Sequence, residues 1–239
     1  MIRSSFIGLL LSIVVWPGTA LYGQESVDSS VWNKKVLEII ALTARNHPKV
    51  TGGCITLTSA GLNVSLIIMA LEISNAKEKD AGKKNFLNKM ILEFHKKLDT
   101  IHLYAELDLH VFDDYLRAVK LPDSTLALKA QKKETVHNAL LKATISPLNA
   151  SGLLLRILQY NRSVISYCTY NVITDLGSAG CQIKAGLDGM LLLAEADITD
   201  LPLKEQPAFQ TVIKNNAVIA SAIQKQTLSA VHLRIKQHK

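Results

Sequence analysis

The chain has 239 residues, 48% hydrophobic and only 5% aromatic, with a formal net charge of +7. That length suits one domain with a well-filled core, and the composition, with 12 Gly and 6 Pro, excludes a disordered chain and favours packed helices over strands and turns. The positive balance suits an anionic ligand, a nucleic acid or a membrane surface, but the lysines are scattered in short runs such as Lys83–Lys84, Lys96–Lys97 and Lys132–Lys133, none of which has an aromatic residue interleaved within it, which argues against nucleic acid.

The first residues read as a targeting segment. Arg3 gives a positive start, Phe6 to Trp16 is an apolar run, and Gly18, Thr19 and Ala20 offer a small-residue cleavage site. The run is short for a bilayer span. Residues 1 to about 23 are therefore expected to act as a signal peptide, the alternative being an uncleaved membrane anchor, and the rest is expected to be exported, secreted or periplasmic. Ser29 and Ser30 precede a first helix from about Val31 to Asn46, with Val36, Ile39, Ile40 and Thr43 on one face, and His47-Pro48 ends it. Thr51-Gly52-Gly53-Cys54 reads as a short loop. From Ile55 to Ile73 the chain is almost free of charge and apolar all round, the pattern of a helix in the middle of a bundle.

A polar linker, Asn75 to Lys84, leads into a long helix from about Asn85 to Lys120. Its stripe is Leu87, Ile91, Phe94, Leu98, Ile101 and Ala105, then Phe112, Tyr115 and Val119, in steps of three and four. Asp108 stands where the next apolar residue is due. After Leu121-Pro122, one helix is expected over Ala127–Ile145 and another opening at Pro147 and running to about Tyr160 or beyond. Thr174-Asp175 reads as the N-cap of a helix from Leu176 to Ala196. Pro202 and Pro207 punctuate the exit, and a last helix spans about Ala208 to Gln237, with Val212, Ile213, Ile219, Ile223 and Leu228 inside. With no strand pattern and no repeat, the expected fold is all-α: one bundle of about six to seven helices over residues 31–237.

Asp108 is the sharpest chemical signal. A carboxylate on a buried stripe is costly unless paired or protonated, and burial away from cations makes it a proton donor near neutral pH. A structural Asp bonded to backbone or to a neighbouring Lys is the plainer alternative. The backbone amides of Gly52 and Gly53, before a helix start, can hold an anion, although such a pair is more commonly a tight turn. Cys54 at the same start has no partner base in view and reads as an inert thiol. Cys168 and Cys181 can form one bridge in an oxidising compartment, but three free buried thiols is the simpler reading. Three Asn-X-Ser sequons occur, at Asn63, Asn149 and Asn161, and the one at Asn63 lies in an apolar segment and reads as a chance match. No metal-ligand spacing, Gly-X-Ser-X-Gly elbow or phosphate loop occurs, so no metal and no bound cofactor are expected.

The order of these segments resembles the cyclodeaminase/cyclohydrolase family, which includes formimidoyltetrahydrofolate cyclodeaminases and methenyltetrahydrofolate cyclohydrolases. The family's Gly-rich loop and small-residue apolar helix are matched by Thr51-Gly52-Gly53-Cys54 running on to Met69, its following basic residue by Lys77, and its Asp-X-Glu-Ala-Phe segment and Leu-Pro exit by Asp108-Leu109-His110-Val111-Phe112 and Leu121-Pro122. Its Pro-Leu and Ser-Asp helix openings resemble Pro147-Leu148 and Thr174-Asp175. The chain departs from the pattern at Thr51, Cys54 and His110, and Leu193-Ala194-Glu195-Ala196-Asp197 stands where the family has asparagines. The resemblance implies a lyase or hydrolase acting on a tetrahydrofolate derivative, with Asp108 as proton donor and Gly52, Gly53, Cys54, Lys77 and Asp175 against the folate-type ligand. It also implies a homodimer; membrane contact is expected only if the N-terminal segment stays attached. An exported, catalytically degenerate binding or interaction module is the alternative.

Overall fold

The computed structural model describes residues 30–45 and 50–237. The expected signal segment and the His47-Pro48 stop lie outside the described residues. Among these, six α-helices and two short 3-10 turns occur and no strand: α1 (Val36–Thr43), α2 (Gly52–Lys77), α3 (Ala81–Val119), α4 (Leu126–Val164), α5 (Ile173–Ile198) and α6 (Gln206–Gln237).

The pair α2 and α5 forms the centre of the bundle. Each carries small residues where the other must approach: Gly186 and Gly189 of α5 lie against Thr56 of α2. At the far end the backbone N–H of Thr169, just before α5, donates to Ser74 near the end of α2 at 3.0 Å. The two helices therefore run antiparallel, with the start of α2 beside the end of α5. Around them, α3 packs on α2 and α4, α4 packs on α5, and α6 packs on α5 and α4. Leu57, Ile67, Leu71, Phe94, Ile101, Leu154, Ile157, Leu158, Ile173 and Leu176 are fully buried between them. α3 and α4, at 39 residues each against 26 for α2 and α5, are longer by about 20 Å at 1.5 Å per residue. A smaller cluster of Leu140, Ile198 and Leu201 with Tyr115, Leu141, Phe209 and Ile213 fills the bundle near the end of α5.

Several boundaries differ from the sequence reading. The first helix is broken: Val31–Asn33 is a 3-10 turn and α1 begins only at Val36. On α1 the inward residues are Ile39 and Leu42, while Val36, Ile40 and Leu37 are exposed. Gly52 and Gly53 are the first turn of α2, not a loop, because Thr51 already supplies the cap. The linker shrinks to Glu78–Asp80, with Asp80 accepting from the N–H of Lys83 at 2.8 Å to start α3. Pro147 neither ends nor opens a helix; it is buried inside the single helix α4, and the packing of Leu148, Leu154, Ile157 and Leu158 carries α4 past the one missing N–H. Thr174 and Asp175 lie inside the first turn of α5, whose N-cap is Val172. Pro207 is the second residue of α6, where a missing N–H costs no intrahelical bond. Leu62 and Met69 of α2 and Ile219 of α6 are exposed, so α2 is apolar all round but open along one side. Its length and apolarity would suit a membrane span, yet most of it is buried in the bundle. Cys54, Cys168 and Cys181 are all free.

Candidate active site at the start of α2

A helix begins with backbone N–H groups that have no intrahelical acceptor. At the start of α2, Thr51 sits in extended conformation and its hydroxyl oxygen accepts from the N–H of Cys54 at 3.2 Å. The same N–H reaches Oδ2 of Asp108 at 3.1 Å, and the Thr51 hydroxyl donates to that Oδ2. Asp108 thus leans from the middle of α3 onto the first turn of α2. This contact dictates Gly53: a Cβ there would lie 2.3 Å from Oδ1 and 2.6 Å from Oδ2 of Asp108, closer than any side chain tolerates. Gly53 is buried, whereas Gly52 is exposed and its Cβ position faces open space.

Burial holds the Asp108 carboxyl above the usual Asp range, and the Thr51 hydroxyl and Cys54 N–H pull it part of the way back. Cys54 is fully buried, and its thiol is pushed up to about 12, first by burial and then by the charges of Glu106 and Asp108. Its sulfur is therefore protonated at neutral pH and has no nucleophilic character. Glu106 turns away from Asp108. It accepts from the Ser30 hydroxyl at 2.6 Å and the Val31 N–H at 3.1 Å, fastening the segment before α1 to α3. Trp32 completes this strap, donating from Nε1 to the His102 carbonyl at 3.3 Å and lying against Gly61 of α2.

One further acid belongs to this end of the bundle. Asp197, in the last turn of α5, is pushed up to about 6, first by burial and then by Asp108 and Asp200. Its carboxyl has no hydrogen-bond partner among the described residues. It follows Met190 and Ala194, both fully buried, by seven and three positions. It therefore stands where an apolar residue is due, as Asp108 does on α3. The stripe rule that singled out Asp108 would have found it had it been applied to α5.

Two grooves lie toward this end. One, of about 330 Å³, runs between α3 and α4 past Asp114, Arg117, Thr135, Asn138 and Lys142. The other, of about 310 Å³, runs between α5 and α6 past Glu195, Thr199, Gln206 and Lys214. Asp108 lines neither. Among the described residues no three His, Cys, Asp or Glu side chains are grouped to hold a metal ion.

Asp108, Gly53 and Cys54 thus meet at one place, with Gly52 at its rim. Lys77 and Asp175 do not join them. Lys77 is the last residue of α2 and exposed, roughly 37 Å from Gly52 at 1.5 Å per residue. Asp175 opens α5 at that same far end.

The family model for formiminotransferase-cyclodeaminase matches residues 35–212, most of the chain and all of this site. The chain belongs to the formiminotransferase-cyclodeaminase family. The fold also matches the crystal structure of formiminotetrahydrofolate cyclodeaminase from Thermotoga maritima, with a TM-score of 0.71 over 87% of this chain and 98% of that one at 13% sequence identity. That second likeness is one of fold. No curated protein matches the chain in sequence. At the start of α2, Thr51 supplies the cap and Cys54 fills a fully buried space.

Proposed function

We propose that this chain is a folate one-carbon enzyme, a cyclodeaminase or cyclohydrolase acting on a tetrahydrofolate derivative, with Asp108 as general acid and base. The observation that carries the reading is the seat of that carboxylate. It is partly withdrawn from water, burial raises it above the usual Asp range, and it rests on the glycine turn that opens α2. In the cyclodeaminase reaction the formimino group closes into a methenyl bridge and its nitrogen leaves as ammonia, which requires a proton at that nitrogen. In the cyclohydrolase reaction water opens the methenyl bridge to a formyl group, which requires a base for the water and an acid for the departing ring nitrogen. One acid of raised pKa can serve in either. Gly52, Gly53 and Cys54 would border the ligand, and the folate is substrate, with no bound cofactor. Lys77 and Asp175 take part only if a second copy brings them to this end; the homodimer that the family resemblance implies is the assembly in which that can happen. Export through the N-terminal segment belongs to the same proposal.

A second reading is favoured by one observation. Oδ2 of Asp108 already serves as a cap for α2, and a carboxylate kept for that purpose alone would leave an exported, catalytically degenerate member of the family acting as a binding or interaction module. The test is to follow methenyl-tetrahydrofolate by its absorbance with the wild-type protein and with Asp108→Asn. Turnover lost in the variant supports the enzyme. Folate binding without turnover in the wild type supports the module, and neither binding nor turnover removes the folate reading.

A further inference from the structure

We propose that Thr51 is a positioning residue for Asp108: its hydroxyl fixes Oδ2 against the start of α2 and leaves Oδ1 as the oxygen offered to a ligand. The inference rests on the functional reading above for its catalytic meaning, but its geometry stands without it.

A threonine hydroxyl has one proton to give. Here that proton goes to Oδ2 of Asp108, while the hydroxyl oxygen receives the N–H of Cys54. The same N–H is shared with Oδ2 at 3.1 Å. Threonine hydroxyl, backbone amide and carboxylate oxygen therefore close a small ring at the cap, and rotation of the Asp108 carboxyl would break two contacts at once. Oδ1 accepts no hydrogen bond among the described residues. The whole carboxyl, Oδ1 nearest, lies over Gly53 in the space that a Cβ would occupy. The two carboxylate oxygens are thus unlike: Oδ2 accepts two hydrogen bonds and Oδ1 accepts none among the described residues.

This arrangement also sets the proton affinity of the site. The groups facing Asp108 are the Thr51 hydroxyl and the Cys54 N–H and thiol from α2, with Asp197 from the last turn of α5; Glu106 on its own helix is turned to Ser30 and Val31. None of these brings a positive charge. The Thr51 hydroxyl is therefore the chief side-chain contact that favours the ionised form. Without it, burial would raise the carboxyl further above the usual Asp range.

The decisive experiment reads the carboxyl directly. In full-length protein with ¹³C-labelled aspartate, the Asp108 carboxyl signal is assigned by its loss in Asp108→Asn and titrated in wild type, Thr51→Gly and Thr51→Ser. Glycine is a tolerated N-cap and costs only a few tenths of a kcal/mol against threonine, so Thr51→Gly removes the hydroxyl and keeps the helix. The expected result is a titration midpoint raised by about one pH unit in Thr51→Gly, the size of one hydrogen bond to a carboxylate, and a wild-type midpoint in Thr51→Ser. An unmoved midpoint in Thr51→Gly would overturn the proposal, whatever happens to the melting temperature, since a mere cap would lower stability without shifting the carboxyl. Turnover separates this from the functional reading: if the wild type has none, the enzyme proposal fails while the titration still decides the role of Thr51.

Discussion

Asp197→Asn should stabilise this protein at neutral pH, which is an unusual outcome for altering a half-buried polar residue. Asp197 has an ordinary unfolded value of 3.8 and is pushed up to about 6 in the fold. Between those values the folded chain holds a proton that the unfolded chain has released, so stability falls as pH rises through the window from about 4 to 6 and stays at the lower level above it. Two pH units correspond to about 3 kcal/mol. Asp197 is only partly withdrawn from water, and screening reduces the figure to about 1 kcal/mol. Its place in the last turn of α5, where a helix end repels negative charge, works in the same direction. Asparagine keeps the shape and carries no charge. Urea unfolding at pH 4 and pH 7.5 should show wild type and variant nearly equal at the lower pH, and the variant about 1 kcal/mol more stable at the higher. A variant no more stable than wild type at pH 7.5 would refute the claim that ionised Asp197 is under strain from burial and from Asp108.

The contact between Gly53 and Asp108 predicts a coupled pair. Gly53→Ala should cost about 1–3 kcal/mol, because the new methyl group overlaps the carboxyl, and should cost much less in the background of Asp108→Ala; equal costs in a double-mutant cycle followed by thermal unfolding would contradict the contact. Cysteine labelling gives an independent check: at pH 8 an alkylating reagent should modify Cys181, which is exposed, while Cys54 and Cys168, buried and raised by that burial, react only after denaturant is added. Mass spectrometry of the native protein should then show one adduct, and two or three would contradict the buried placement of the other thiols.

The fold was largely legible because helix periodicity is a local signal. The stripe from Leu87 through Ile101 and the uncharged run of α2 each announce a helix without reference to the rest of the chain. What was not legible depends on tertiary contact. Pro147 reads as a helix break until its burial against the neighbouring helices is known. Of the face Val36, Ile39, Ile40 and Thr43, only Ile39 turns inward, joined by Leu42, because α1 is a short helix at the edge of the bundle. At the site, Asp108 was visible because a charge interrupts an apolar stripe, and its conjunction with Gly53 was implied by segment order. Lys77 and Asp175 were grouped with it by order as well, yet an antiparallel pair of helices carries both to the other end of the bundle. Segment order alone carries no distance.

The two roles open to Asp108 make opposite demands. A cap for a helix start is best ionised, since it accepts from N–H groups at the positive end of the helix. A proton donor must be protonated for part of its cycle. The geometry reconciles them by dividing the carboxyl: Oδ2 receives the Thr51 hydroxyl and Cys54 N–H, while Oδ1 remains over Gly53 with no partner among the described residues. A proton can then enter and leave at Oδ1 while the cap at Oδ2 persists, weakened but unbroken. This division is also why Asp108→Asn, and not Asp108→Ala, separates enzyme from degenerate module. An asparagine carbonyl oxygen can still accept both bonds and hold the start of α2, so a folded, capped protein that has lost its turnover has lost the ionisable group and not the cap.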